Sequence, residues 1–315
     1  MALTNVAAVA ADLQTYFAKK LLVVAEPVMV FKQFGNLEPI PANASKTISF
    51  TQYAKLGIVS SALTEGTAGT AATLTNSAIT ATINQYGAFV QITDLAELTV
   101  KHPVIQEALY LLGRQAGESI DQLIQATVLA GTNVQYAGGA ANRVALTAAN
   151  VMTTTEIRKA IKTLRTSAAV PFDAMSLGSG GAGGSANGSG TYVLVVDPSV
   201  EADITSDATF LAASEYSAIT NLFNDEVGRW FGVRVVRSNN MAAITSTTTV
   251  HTSLLIGKNA FAVSDLQNLA TYIEGPGSVA DPLHQNRTLG WKCSFAVAIL
   301  NQTFMLRVES GSTYN

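Results

Sequence analysis

The stretch His102–Gly131, HPVIQEALYLLGRQAGESIDQLIQATVLAG, decides how the rest of the chain is read. Pro103 stands where a helix can open without its amide, and Gly131 follows the last apolar residue as a stop. Between them Ile105, Leu109, Leu112, Ala116, Ile120, Leu123 and Thr127 recur at spacings of three and four, the period of one helical face. Gln106, Glu107, Arg114, Glu118 and Asp121 fall on other faces. At 1.5 Å per residue such a helix runs about 40 Å, longer than is usual in a globular domain. Charge interrupts its apolar runs, which argues against a membrane span. It reads as a spine on which the remaining elements are built.

Upstream, KTISFTQYA (46–54) reads as a strand and Ile79–Asp94 as a longer one returning. Ile79, Ala81 and Ile83 share one phase of the return strand, while Tyr86, Ala88, Val90 and Ile92 share the other. A slip of one residue in a period-two pattern predicts a bulge or bend near Asn84-Gln85. The connection LGIVSSALTEGTAGTAATLTNSA has too few large apolar residues for a core and is long for a loop inside a compact domain. It suits a hairpin that projects from its own domain and is ordered by lying on something else. Before it, residues 2–22 predict a short amphipathic helix. Pro27, Pro39 and Pro41 then predict an extended arm.

Downstream, TAANVMTTTEIRKAIKTLRTS predicts a second helix opened by a capping box from Thr153 to Glu156. Ile157, Ile161 and Leu164 form its buried edge. Arg158, Lys159, Lys162 and Arg165 form a basic edge that could touch phosphate, although a solvated face is the commoner role. Residues 176–190, SLGSGGAGGSANGSG, have the composition of a flexible linker or loop. Their Gly178-x-Gly180-x-x-Gly183 matches a dinucleotide fingerprint formally but lacks the strand, the helix and the acidic residue that it needs. YVLVV then reads as a buried strand, Asp197-Pro198 opens a short helix, and 211–224 reads as helical. GVRVV follows as a strand, SLLIGKNAFAVSDL as a strand with a turn at Gly257-Lys258-Asn259, and two strands joined at Asn301-Gln302 close the chain. Strands and short helices split by a Gly/Ser joint describe an α+β protein of two lobes.

Composition narrows the function. Only 13% of the 315 residues are charged, against about 25% in a typical soluble protein. A surface of small neutral residues is poorly defended against association, which points to cover by other copies. The net charge of −3 and the absence of a long basic run argue against general nucleic-acid binding. The lone Cys293 excludes internal disulfides and lies in an apolar run that reads as core strand. Residues 1–20 lack a basic n-region, so no signal peptide is read and a reducing cell is the expected setting. His102 reads as a helix boundary, His251 as a strand-edge residue and His284 as a loop residue. No spacing makes them a metal triad or a base–nucleophile pair, so neither an enzyme, a cofactor nor a metal site is expected.

Four pieces, YVLVVDPSVEADI, LFNDEVGRWFGVRVV, LLIGKNAFAVSDL and ADPLHQNRTLGWKCSFAVAILNQTFMLRVES, together resemble the major capsid proteins of tailed double-stranded DNA phages, with the Hong Kong 97-like fold. With the arm, the hairpin and the spine in that order, the likeness spans nearly the whole chain. It implies an N-terminal arm (1–45), an extended β-hairpin loop (46–92), a peripheral domain (93–190 and 266–315) and an axial domain (191–265). The implied function is structural: self-assembly into hexamers and pentamers of an icosahedral shell enclosing DNA without sequence-specific binding. The implied location is the virion, after assembly in the host cytoplasm, with a portal protein and, since little precedes the arm, a separate scaffolding protein or none. The likeness also implies that the hairpin lies over a neighbour's spine helix. Ile48, Phe50, Ile58, Val59 and Leu63 are then expected to be buried there, with Glu107, Arg114 and Glu118 on the spine as contacts. Lys46 and Lys55 stand where some relatives cross-link to Asn, but here they read as surface lysines. An encapsulin-type compartment shell and a phage decoration or tail structural protein are the alternatives.

Overall fold

A computed structural model describes residues 19–25, 28–39, 45–53, 56–58, 60, 62, 66, 71–99, 104–172, 191–212, 223, 225–241, 243–246, 248–274 and 285–314. The spine helix is present as α3 (Val104–Leu129), preceded by a helix at residues 19–25 (α1) and by α2 (Asp94–Thr99). Two further helices, α4 (Thr154–Thr166) and α5 (Pro198–Thr205), follow it. His102, Pro103 and His284 lie outside the described residues, as do 173–190.

The strands form three sheets. A two-stranded sheet pairs β2 (Thr47–Tyr53) with β3 (Asn76–Thr82). A four-stranded sheet has the order β1-β12-β13-β4, from Asn36–Leu37, Phe261–Glu274, Asn286–Ile299 and Asn84–Thr93. The third sheet has the order β5-β14-β11-β6-β9-β8-β7, with β10 also on β11. Its strands are β5 (Val134–Tyr136), β6 (Tyr192–Val196), β7 (Leu211–Ala212), β8 (Glu226–Trp230), β9 (Val233–Arg237), β10 (Ala243–Thr245), β11 (Thr249–Ile256) and β14 (Met305–Ser310).

The predicted slip in the return strand is real, and it has a cause. At Ile83 the chain leaves the two-stranded sheet and enters the four-stranded one, so β3 and β4 present opposite phases to different partners. The same device recurs twice. The turn at Gly257-Lys258-Asn259 carries β11 in one sheet into β12 in another, and the turn at 301–304 carries β13 into β14. Neither is a hairpin.

The spine helix shares one core with both large sheets. Leu109, Leu112, Ala116, Ile120, Ile124 and Val128 pack with Leu289, Trp291, Cys293 and Phe295 of β13 and with Val193, Val195, Leu254 and Ile256 of β6 and β11. The other face of the eight-stranded sheet, through Leu194, Val196, Val235 and Leu255, is covered by Ile157, Ile161 and Leu164 of α4 and by Val200 and Ile204 of α5. At about 1.5–3 kcal/mol for each fully buried large apolar side chain, these two layers dominate the favourable side of folding.

Several expectations need correction. The arm is not wholly extended: Phe31–Phe34 forms a 3-10 turn and β1 adds in parallel to β12, because Phe31 and Phe34 enter the core. Leu211–Ala212 is a strand paired to β8, not a helix; 213–222 and 224 lie outside the described residues. Thr153 makes no side-chain cap on α4, and the Glu156 carboxylate, the other half of the expected box, is buried and taken by Gln135 and Lys159. Asp197 does accept from the Ser199 amide at the start of α5. His251 is no strand-edge residue: β10 and β14 flank it, and its Nδ1 lies 2.8 Å from Asp197 Oδ2. Phe172 and Thr191, which flank the Gly/Ser stretch in sequence, bridge to each other. β5, α4 and β14 belong with the eight-stranded sheet, and β12 runs across residue 265.

Candidate assembly surface

The spine helix carries more than its apolar stripe. Asp121, assigned by period to a polar face, is fully buried. Its Oδ1 accepts from the Phe31 amide at 2.8 Å and its Oδ2 from Asn240 Nδ2 at 3.0 Å, so one carboxylate ties the arm and the 238–240 turn to the helix. Two glycines a turn apart, Gly113 and Gly117, let α1 cross the same helix closely. A Cβ on Gly113 would stand 3.0 Å from the Leu21 carbonyl oxygen, and one on Gly117 2.7 Å from that of Ala25. The small-xxx-small spacing was the signal that periodicity alone missed.

Burial raises the Asp121 carboxyl above its ordinary value, against the Asn240 side chain and the Phe31 and Val30 amides, which pull it down. A carboxyl raised in the folded state adds stability below its unfolded value, and loses that addition as pH rises through the folded value. The expected result is that wild type gains on Asp121→Asn as pH falls from about 7.5 toward the ordinary aspartate value of 3.8. Asparagine keeps an acceptor for Phe31 but has no titration there. Denaturant unfolding of both proteins across that range checks it; parallel stability curves contradict it.

Of the expected contact residues, Glu107, Arg114 and Glu118 lie on the solvent side of α3. Arg114 Nε donates to Glu118 Oε1 at 2.7 Å. That pair lines a groove with Val23, Tyr110, Asn239 and Asn240, between the arm and the 238–240 turn. Ile48 and Phe50 behave otherwise. Phe50 is buried, and both pack with Ala81 and Ile83 on Ala262, Ala296 and Ala298 of the chain's own four-stranded sheet. Phe50 is therefore covered within the chain rather than by a neighbour, while Ile48 keeps part of its surface open. Their cover comes from alanines more than 200 residues away, which a local reading of the hairpin does not reach. Ile58 is 89% exposed; Val59 and Leu63 lie outside the described residues.

Among the exposed apolar side chains of the described residues, two groups stand together in the chain. Tyr53, Leu56, Ile58 and Leu74 belong to the hairpin beyond its packed base. Phe89 (72% exposed), Leu95, Leu98 (82% exposed), Tyr110 and Leu111 follow one another on β4, α2 and α3. β4 is also an edge strand, with one side free of ladder bonds among the described residues. An unpaired edge beside large apolar side chains is prone to association when left uncovered. Chemistry is less in view. Among the described residues no cluster of His, Cys, Asp and Glu could hold a metal, and no helix is long and apolar enough to cross a membrane. Cys293 is buried, and burial pushes its thiol up to about 11, away from the reactive thiolate.

Residues 76–308 match a family model described as phage capsid protein. The fold is shared with solved structures at low sequence identity. A capsid chain of Ralstonia phage GP4 is 15% identical with a TM-score of 0.69, over 89% of this chain and 87% of that one. A capsid chain of cyanophage P-SCSP1u is 15% identical with a TM-score of 0.63, over 90% and 89%. One from the mature capsid of bacteriophage PhiM1 is 18% identical with a TM-score of 0.59, over 89% and 86%. No curated protein matches the chain by sequence.

Proposed function

The chain belongs to the phage capsid protein family, and from that membership we propose that its copies close, as hexamers and pentamers, into an icosahedral shell around double-stranded DNA. Its role is structural, that of a major capsid protein in the virion shell. The observation that carries the assembly reading is the β2–β3 hairpin. A two-stranded sheet is marginal by itself, yet this one holds Tyr53, Leu56, Ile58 and Leu74 out to solvent beyond a base seated on its own chain. Cover by a neighbouring copy accounts for both facts. The receiving surface is the apolar run on β4, α2 and α3, with Glu107, Arg114 and Glu118 at its side. Val59 and Leu63 belong to the same contact by sequence position.

In this reading residues 1–45 act as the arm and 46–92 as the extended loop. The four-stranded sheet with the spine forms the peripheral part, and the outer strands of the eight-stranded sheet form the axial tip. Each contact is modest, but ring closure multiplies it, since every copy both gives and receives one hairpin. Scaffolding and portal proteins are separate chains, and assembly takes place in the host cytoplasm.

Negative-stain electron microscopy of the chain expressed alone, and again with a scaffolding protein, tests this. Closed shells or ring-shaped capsomers are expected. Uniform particles of the 32.9 kDa monomer in both preparations would overturn the reading.

A further inference from the structure

Several cations of this sparsely charged chain have carboxylate partners, among them Lys32 with Asp265, Arg114 with Glu118, Arg143 with Glu309, Lys159 with Glu156 and Arg234 with Glu226. Arg158, Lys162 and Arg165 break that pattern. They follow at i, i+4 and i+7 on α4, which places them on one face. All three are exposed, and none is in ion-pair reach of a carboxylate among the described residues. With Ile161, Thr166 and Phe231 they line a single groove.

Phe231 makes the groove more than a solvated helix face. It sits with Gly232 in the two-residue turn between β8 and β9, at φ 48° and 79°. Positive φ at both positions is the demand of a tight hairpin turn, which Asn-Gly meets without strain and a bulky residue does not. The strained position brings an aromatic ring under Arg158, whose guanidinium carbon lies 4.3 Å from the ring centroid. Stacking of that kind orients the guanidinium and leaves its edge donors free for an anion. The ring also packs on the core beneath α4, and backbone strain that holds it in a charged groove motivates a functional reading of the position.

We propose that this groove, made by Arg158, Lys162 and Arg165 of α4 with Phe231, is a contact for the phosphate backbone of DNA, and that it faces the packaged genome. The inference rests on the capsid reading for the presence of DNA, while the groove argues the chemistry. Along the helix axis Lys162 stands about 6 Å and Arg165 about 10 Å from Arg158, the scale of a few successive phosphates, which follow at about 3.4 Å per strand. Nothing in the groove is arranged to read base edges: the ring is engaged by Arg158, and the Thr166 hydroxyl donates to the Lys162 carbonyl. The contact is therefore independent of sequence. Three charges per copy bind weakly, which suits a chain of net charge −3 that must hold DNA and also release it. Repetition over a shell turns the weak contact into an ordered inner layer.

The test uses the full-length chain before assembly and a fluorescent 30-base-pair duplex of mixed sequence, with anisotropy titrations at several salt concentrations. Wild type is expected to show log K falling with log salt at a slope near −2.7, about −0.9 for each of three phosphates. The triple variant R158Q/K162Q/R165Q is expected to flatten that slope by about 2 to 3 and to weaken binding by on the order of tenfold or more at low salt. Lys46→Gln, a charge removed from the hairpin, is the control and should leave the slope unchanged. A triple variant with the wild-type slope overturns the proposal. So does a triple variant that keeps its DNA affinity but forms no shells, because the face then lies between copies. Stronger binding of polyglutamate than of the duplex overturns it as well and assigns the groove to an acidic protein segment. Microscopy of the same preparations reports shell formation separately, so failure of the capsid reading is seen as missing wild-type particles whatever the salt slope.

Discussion

Gly117→Leu is expected to lower stability by about 3 kcal/mol and to release the N-terminal arm from the body of the protein. The steric cause is local. The Cβ alone would stand 2.7 Å from the Ala25 carbonyl oxygen and 3.1 Å from Val28 Cβ, and the first of these is backbone that cannot rotate away. Two effects oppose each other. Replacing a mid-helix glycine returns about 1 kcal/mol of helix propensity, while forcing extra atoms into a packed contact costs typically 1–3 kcal/mol and more where backbone must move. Here the second wins, because α1 approaches the spine through two successive glycine contacts, Gly113 and Gly117. The chain escapes the clash only by lifting the arm, which strips cover from Leu21, Ala25, Val30 and Phe31. For a chain of this size about 3 kcal/mol corresponds to a fall in Tm of about 4–5 °C. Thermal unfolding measures the first effect, and limited proteolysis near residue 26 the second. Gly57→Leu is the control: a Cβ there has nothing within 4 Å, and its Tm should be unchanged. An unaltered Tm and an uncleaved arm in Gly117→Leu would show that the helix crossing is not the close contact described.

Ile58→Asp is expected to abolish shells and leave the unassembled chain as stable as wild type. Ile58 is 89% exposed, and substitutions at such positions usually move stability by no more than about 0.5 kcal/mol. In the proposed contact the same position is covered by a neighbour's apolar surface, where an unpaired carboxylate costs several kcal/mol. Every ring of copies repeats that cost at each hairpin, so assembly should be lost rather than weakened. The measurement is particle yield by microscopy beside the Tm of the unassembled fraction. Wild-type yield of closed particles would remove the hairpin tip from the interface, and a large fall in Tm would show that Ile58 belongs to the chain's own core.

The corrections share a pattern. The family likeness assigned Phe50 to a neighbour's surface, and local period assigned Asp121 to a face other than the apolar stripe; both are buried within the chain. Period reports which residues share a face, and the partner of that face is a separate matter. Phe50 found alanines of β12 and β13, and Asp121 found amide donors from the arm and from Asn240. Glu156 was read as half of a capping box because the spacing allows it, but Gln135 and Lys159 reached it first. Of the contact surface, the exposed hairpin tip was legible as a projecting loop. The Phe89–Leu98 run was not, since nothing in its sequence separates exposed apolar residues from core.

What the sequence by itself determined is the set of the longer local elements: the spine helix and α4 from their three-and-four spacing, α5 from its Asp197-Pro198 start, the long strands, and the break near residue 84. These follow from backbone sterics and from the periods at which side chains share a face, and both act over a few residues. What only the tertiary structure decided is which sheet each strand entered. At Ile83, at 257–260 and at 300–304 the chain turns in a few residues and joins a different sheet, where the sequence shows only two strands and a turn. Ladder hydrogen bonds are the same for any partner strand. The choice therefore falls to side-chain packing between residues far apart in the chain: the spine helix wedged between two sheets, and three alanines making a floor for Phe50.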